Sequence, residues 1–168
     1  IKSHSFLGKG EWLIAESDES DGSFLKLSPE IIVITNIDND HIDHYGSFEN
    51  LKRAFLDFAK LIPFYGVAVV CGDSEEVRST LSNFNKRVIY YGLNEANDYQ
   101  LKEKAGKYAV HFQGEQLGTL KLQVPGRHNA LNALAALIVG REAGIPVETC
   151  FEGLSTFNGV DRRFQFKG

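Results

Sequence analysis

Apolar residues recur along this chain in two rhythms, and the change from one to the other divides it. Ile31 to Thr35 is a β-branched run without polar interruption, which predicts a strand buried on both faces, as in a parallel sheet. Val67 to Cys71 and Arg87 to Tyr91 predict further strands of the same sheet. Trp12 to Ala15 is a shorter apolar run, expected to lie inside the sheet as well. Helical spacing fills the gaps. Ser47 offers an N-cap; Phe48, Leu51, Phe55, Phe58 and Ile62 follow on one stripe; Pro63 marks the exit. Glu75 to Phe84 predicts a second helix. Strands alternating with helices predict an α/β fold with a mostly parallel sheet flanked by helices.

After Gly92 the rhythm changes. Tyr108 to Phe112 and Leu117 to Val124 alternate apolar and polar positions on either side of Gly114, which predicts a small antiparallel β flap or second sheet. Asn129 to Ala143, rich in Ala and Leu and closed by Gly144, predicts a helix, and Val147 to Phe157 a shorter one. No repeat, low-complexity tract or linker interrupts the chain, so residues 1–168 are expected to form a single domain.

Composition adds exclusions. The 168 residues suffice for a sizeable core, and 43% hydrophobic with 24% charged residues is ordinary for a globular protein. The formal net charge of −4 comes without a basic stripe, so nucleic acid is not an expected partner. Cys71 and Cys150 match no metal or redox spacing, which fits a reducing, cytoplasmic setting. No apolar run is long enough to cross a bilayer and no signal peptide opens the sequence, so no membrane partner is expected. Methionine is absent even at position 1, so the chain is expected to begin inside a longer gene product.

Two polar clusters follow the first two apolar runs. One holds Glu16, Asp18, Glu19 and Asp21; the other holds Asp38, Asp40, His41, Asp43 and His44. In open α/β sheets ligands bind at the carboxyl ends of the strands, so both clusters are expected at one edge, facing one cleft. Gathered carboxylates suit a hard cation such as magnesium, which takes one or two of them and completes its shell with water and phosphate oxygens. Any one of them can be a solvated loop carboxylate, but so many in two short loops repel one another unless a cation or cationic partner intervenes. His41 alone is ambiguous, because imidazole suits zinc or manganese better than magnesium.

A third constellation lies in Val124 to Leu137. Pro125 and Gly126 break the preceding strand, and Asn129 and Asn132 stand three apart at the start of a helix, beside free backbone donors. A carboxamide donates and accepts at once, so these residues can read the edge of adenine; Asn129 can also simply cap the helix. Arg162 and Arg163 can clamp a phosphate or form surface ion pairs.

Four segments together carry a family resemblance: Ala15 to Phe24 (AESDESDGSF), Thr35 to Tyr45 (TNIDNDHIDHY), Pro125 to Ala136 (PGRHNALNALAA) and Gly159 to Gln165 (GVDRRFQ). In order and spacing the chain resembles the central, ATP-using domain of the Mur ligases, and it most resembles the branch that adds L-alanine. The resemblance implies an ATP-dependent amide ligase of cytoplasmic peptidoglycan precursor synthesis. On that resemblance the carboxylate of UDP-N-acetylmuramate would be phosphorylated by ATP, the L-alanine amine would attack the acyl phosphate, and phosphate would leave.

It also implies roles. Glu16 matches the glutamate that binds Mg2+ near the ATP phosphates, and His41 the histidine that binds a second Mg2+ near the substrate carboxylate. His128, Asn129 and Asn132 match the adenine-binding stretch, and Arg163, with Arg162, the arginine that approaches the nucleotide phosphates. Several Mur ligases carry a carbamylated lysine where this chain has Phe55, which sets it apart from those siblings and from folylpolyglutamate synthase. The family's G-x-x-x-x-G-K-[ST] loop is not present, and Gly8-Lys9-Gly10 does not fit its spacing. That loop is expected upstream of Ile1, and an amino-acid-binding domain after Gly168. By itself the chain is expected to be inactive. The competing class is a non-catalytic nucleotide-binding domain.

Overall fold

The computed structural model describes residues 8–159. A six-stranded sheet, in the order β1-β2-β3-β4-β5-β6, forms the middle layer. β1 (Ile31–Ile34), β2 (Val67–Cys71) and β3 (Arg87–Gly92) run parallel, in register from Ile31 against Val67 and Val67 against Arg87. α1 (Ile42–Tyr45) and α2 (Phe48–Lys60) connect the first pair, and α3 (Glu75–Thr80) the second. α2 starts where Ser47 Oγ accepts the Asn50 amide at 3.2 Å, and its stripe of Leu51, Ala54, Phe58 and Ala59 is buried.

β2 is buried on both faces, and its alternation splits the core into two clusters. Ala68 and Val70 join Ile32, Ile34, Phe58, Val77 and Leu81 under α2 and α3. Val67, Val69 and Cys71 join Ile89, Tyr91, Leu134, Leu137 and Ile138 on the opposite face. That face is covered by α4 (Arg127–Glu142) and α5 (Val147–Thr156). The result is three layers, helix on sheet on helix.

The expected antiparallel part is present, and it continues the parallel sheet rather than forming a second one. β4 (Tyr99–Lys104) lies parallel to β3 through two residue pairs, Tyr91 with Tyr99 and Gly92 with Gln100. β5 (Lys107–Phe112) and β6 (Glu115–Leu120) then extend the same sheet as antiparallel strands. A parallel neighbour normally needs a crossover of a dozen or more residues. Here β4 starts beside the end of β3 and runs on past it, so a short turn suffices. Ala105-Gly106 and Gln113-Gly114 link the antiparallel strands with successive positive φ angles (50° and 72°, 50° and 87°), the two-residue turn that matches strand twist.

Four expectations need correction. Trp12 to Ala15 is not a strand: Leu13 and Ile14 are 91% and 88% exposed, and the sheet ends at β1. An apolar run becomes a strand only where a neighbour completes its ladder, and none does so among the described residues. β1 is buried on one face only, and Val33 is 41% exposed, because α4 packs over β2, β3 and β4. α3 stops at Thr80 rather than Phe84, because the Ser82 amide and hydroxyl both turn back to the Ser79 carbonyl. β6 ends at Leu120 rather than Val124, because its partner strand runs out opposite Tyr108.

Candidate functional site

The carboxyl end of β1 builds one side of the site. Beyond Ile34 the chain is anchored by buried Ile37, and the Asp38 carboxylate accepts from the Asn36 side chain. His41 follows in the left-handed region at φ 58°, which is uncommon outside glycine, and its carbonyl accepts the His44 amide at 3.0 Å to open α1. The acidic loop builds the other side. Asp18 accepts the Ser20 amide and Asp21 the Ser23 amide, each at 2.8 Å. These bonds hold both carboxyls below the usual carboxylate range: the Ser20 amide acts first on Asp18, and the Ser23 hydroxyl, then its amide, on Asp21. Downstream, the loop is pinned by buried Phe24, whose ring lies 4.9 Å from Phe58 and 5.6 Å from Phe55.

The two sides meet. Glu16, Ser17, Asp18, Glu19 and His41 line one open cleft of about 550 Å³. His41 Nε2 stands 3.8 Å from Glu19 Oε1 across it. Glu16 forms no side-chain hydrogen bond or ion pair among the described residues, so its carboxylate is unspent. The described residues contain no group of three or more His, Cys, Asp or Glu placed to hold a metal ion by themselves. The donors present are mostly carboxylate oxygens at an open cleft. That set fits a hard cation held by one or two protein ligands and completed by water and phosphate, and does not fit an all-protein cage.

The second group lies at the start of α4. The helix begins at Arg127, two residues before the expected Asn129, with Gly126 as its N-cap. Asn129 therefore does not cap it; its side-chain amide donates to the Pro125 carbonyl at 2.8 Å. His128 and Asn132 are exposed. α4 runs back along the sheet, with Glu142 paired to Arg87 at the amino end of β3 and Arg127 near Glu103 at the far end of β4. Its N-terminus thus faces the end of the sheet at which His41 lies. None of His128, Asn129 and Asn132 lines the acidic cleft. Arg162 and Arg163 lie outside the described residues.

Sequence reasoning overlooked Tyr45, whose half-buried hydroxyl donates to the Glu19 carbonyl. Burial, helped by the Glu19, Asp21 and Asp18 carboxylates, raises its pKa and keeps it a donor. It also missed the turn that admits β4. Asp73 accepts the Leu93 amide at 2.7 Å, the Asn94 amide at 3.0 Å and the Asn97 side chain at 2.9 Å, while Arg78 bonds Asn97 at 2.7 Å and stacks over Tyr90. The only signal was an Asp two residues after a strand.

The site is thus an open cleft past the carboxyl end of β1, lined by Glu16, Glu19 and His41, on an open α/β domain of the class that binds ligands at the carboxyl ends of its strands. The Mur ligase middle domain matches residues 11–140, and the chain belongs to the Mur ligase family. It is 56% identical, over all of its length, to the UDP-N-acetylmuramate–L-alanine ligase of Bdellovibrio bacteriovorus. It spans 38% of that relative. Its fold superposes on the UDP-N-acetylmuramate–alanine ligase MurC of Thermotoga maritima with a TM-score of 0.75 at 30% identity, covering 88% of this chain and 33% of that one. The UDP-N-acetylmuramate:L-alanyl-γ-D-glutamyl-meso-diaminopimelate ligase of Neisseria meningitidis gives 0.74 at 27%, covering 83% and 43%.

Proposed function

We propose that this chain is the central, ATP-using domain of a ligase that joins L-alanine to UDP-N-acetylmuramate in cytoplasmic peptidoglycan precursor synthesis. The observation that carries the reading is the cleft shared by Glu16 and His41, on a chain 56% identical throughout to a ligase of that name. UDP-binding and amino-acid-binding domains of the same polypeptide would complete the enzyme. Glu16 would hold Mg2+ at the ATP phosphates, and His41 a second Mg2+ near the muramate carboxylate. His128, Asn129 and Asn132 would meet adenine, with Arg162 and Arg163 directed to the phosphates. Bound Mg2+ would offset charge on the triphosphate and on the transferring phosphoryl group. The chain's own part is to fix the cation ligands: Ile37 and the Asp38 bond seat His41, and Phe24 seats the acidic loop. Glu19 Oε1 stands 3.8 Å from His41 Nε2 across the cleft.

The test uses the whole ligase polypeptide that contains this segment. Glu16→Ala and His41→Ala should each lower L-alanine-dependent phosphate release by about a hundredfold or more, the scale on which removing one electrostatic stabiliser acts. Full activity in either variant would remove that residue from the site; full activity in both would overturn the reading.

A further inference from the structure

The acidic loop carries the carboxylates of the cleft, yet most of its bonds are internal. Asp18 and Asp21 are satisfied by serines two residues on, and the Gly22 amide bonds the Glu19 carbonyl at 3.2 Å. One bond leaves the loop upstream of Phe24 without reaching into the cleft: the Tyr45 hydroxyl donates to that same Glu19 carbonyl. Tyr45 is itself fixed. Its carbonyl accepts the Asn50 side chain of α2 at 2.8 Å, and its ring meets the His44 ring edge-on at 4.7 Å. The loop is shaped to come this close. Gly22 lies at φ 70°, and a Cβ there would stand 3.3 Å from His44 Nε2 and 3.9 Å from the Tyr45 hydroxyl oxygen. A chain of contacts therefore runs from the rigid α2 through Asn50 and Tyr45 to Glu19, and Glu16 is only three residues further.

We propose that Tyr45 is a positioning residue for the cleft, its hydroxyl holding the acidic loop so that Glu16 and Glu19 face His41. The proposal rests on the reading of the cleft as a cation site. Tyr45 touches no substrate; it acts by limiting where the Glu19 backbone can go. Without the hydroxyl, the segment from Ser17 to Gly22 keeps its serine turns but loses its tie to α2. Its carboxylates then sample positions that a cation between the loop and His41 cannot bridge.

The test takes the full 168-residue chain in three forms, unchanged, Tyr45→Phe and Glu16→Ala, with Mn2+ as the probe cation read by electron paramagnetic resonance. Amide hydrogen exchange is followed in parallel. Tyr45→Phe keeps the ring and its packing, so the thermal midpoint and α2 exchange should not change. Exchange at Ser17 to Gly22 should quicken, and Mn2+ affinity should fall about tenfold, the lower end of what loss of an outer-shell partner costs a metal site. Faster exchange with unchanged affinity makes the tie merely structural and overturns the proposal. Unchanged exchange overturns it whatever the affinity does. If no Mn2+ binding depends on Glu16, the cation reading of the cleft fails and the positioning role falls with it. The exchange result then still reports separately whether Tyr45 holds the loop.

Discussion

Asn129 and Asn132 stand three residues apart on α4 and are differently employed. Asn129 spends a donor on the Pro125 carbonyl, so its loss disturbs the entry to the helix. Asn132 is exposed and makes no side-chain hydrogen bond among the described residues. Asn132→Ala should therefore change stability by no more than about 0.5 kcal/mol, as at other surface sites. It should nevertheless weaken adenine-nucleotide binding, because it removes the proposed adenine contact. A nuclear magnetic resonance titration of the chain with ADP and Mg2+ checks this. Shifts should cluster at Arg127 to Asn132, and the variant should bind more weakly; equal binding by the variant would remove Asn132 from the site. Gly72 gives the opposite case. A Cβ there would stand 2.0 Å from Asn97 Oδ1 and 2.7 Å from the Arg78 guanidinium. Gly72→Ala must break the buried Asn97 network or shift the β3–β4 turn, and should cost about 2–3 kcal/mol in urea unfolding.

At the scale of elements, short polar contacts decide where helices and loops begin. Ser47→Ala removes the oxygen that accepts the Asn50 amide and should destabilise α2 by about 1 kcal/mol, read from the midpoint of chemical denaturation. The acidic loop has a pH dependence of defined sign. Asp18 and Asp21 ionise below the ordinary aspartate value in the folded chain, so the turns they make are fully formed above that value and are lost as the pH falls through the lowered folded pKa. Carboxyl-carbon titrations should place both midpoints below those of unstructured aspartates. The Ser20 and Ser23 amides should shift in step, and ordinary midpoints at both would show that the turns do not persist in solution. The β4 element shows a different dependence. Its outer half, Lys102 to Lys104, is exposed and charged, and only Tyr99 and Leu101 are buried. Its ladder with β5 makes it a strand along its whole length; the Asp73–Asn97–Arg78 network folds the preceding turn back so that its first residues also pair with β3.

For the whole molecule, two core clusters on opposite faces of one sheet account for its rigidity, and β2 belongs to both. Leu134, fully buried in the α4 face, should cost about 2–5 kcal/mol when cut to Ala. Activity is a different matter. The sequence holds no G-x-x-x-x-G-K-[ST] loop, the element that supplies backbone donors, a lysine and a cation-binding hydroxyl to the triphosphate. Phosphate release from ATP, UDP-N-acetylmuramate and L-alanine by this chain alone should stay at the buffer blank. Turnover above the blank that disappears on Glu16→Ala would contradict this.

The sequence by itself determined the parallel core, because β-branched runs bounded by turns and an amphipathic stripe behind Ser47 can bury their apolar faces in few other ways. It also marked two polar clusters just past apolar runs, where gathered carboxylates repel one another; within them only the family resemblance singled out Glu16 and His41. It could not show that Trp12 to Ile14 lies outside the sheet or that Val33 is open, because an apolar run records the capacity to pair and not the presence of a partner. Nor could it show that β4 docks against β3, a pairing supported by Asp73, twenty residues before Leu93 and in another turn. The same holds for Tyr45. A tyrosine two positions before a helix cap has no local mark of function, and only the tertiary structure brings its hydroxyl to Glu19, twenty-six residues away. Periodicity reports which face of an element is apolar; which backbone groups lie opposite one another is settled only when the layers close.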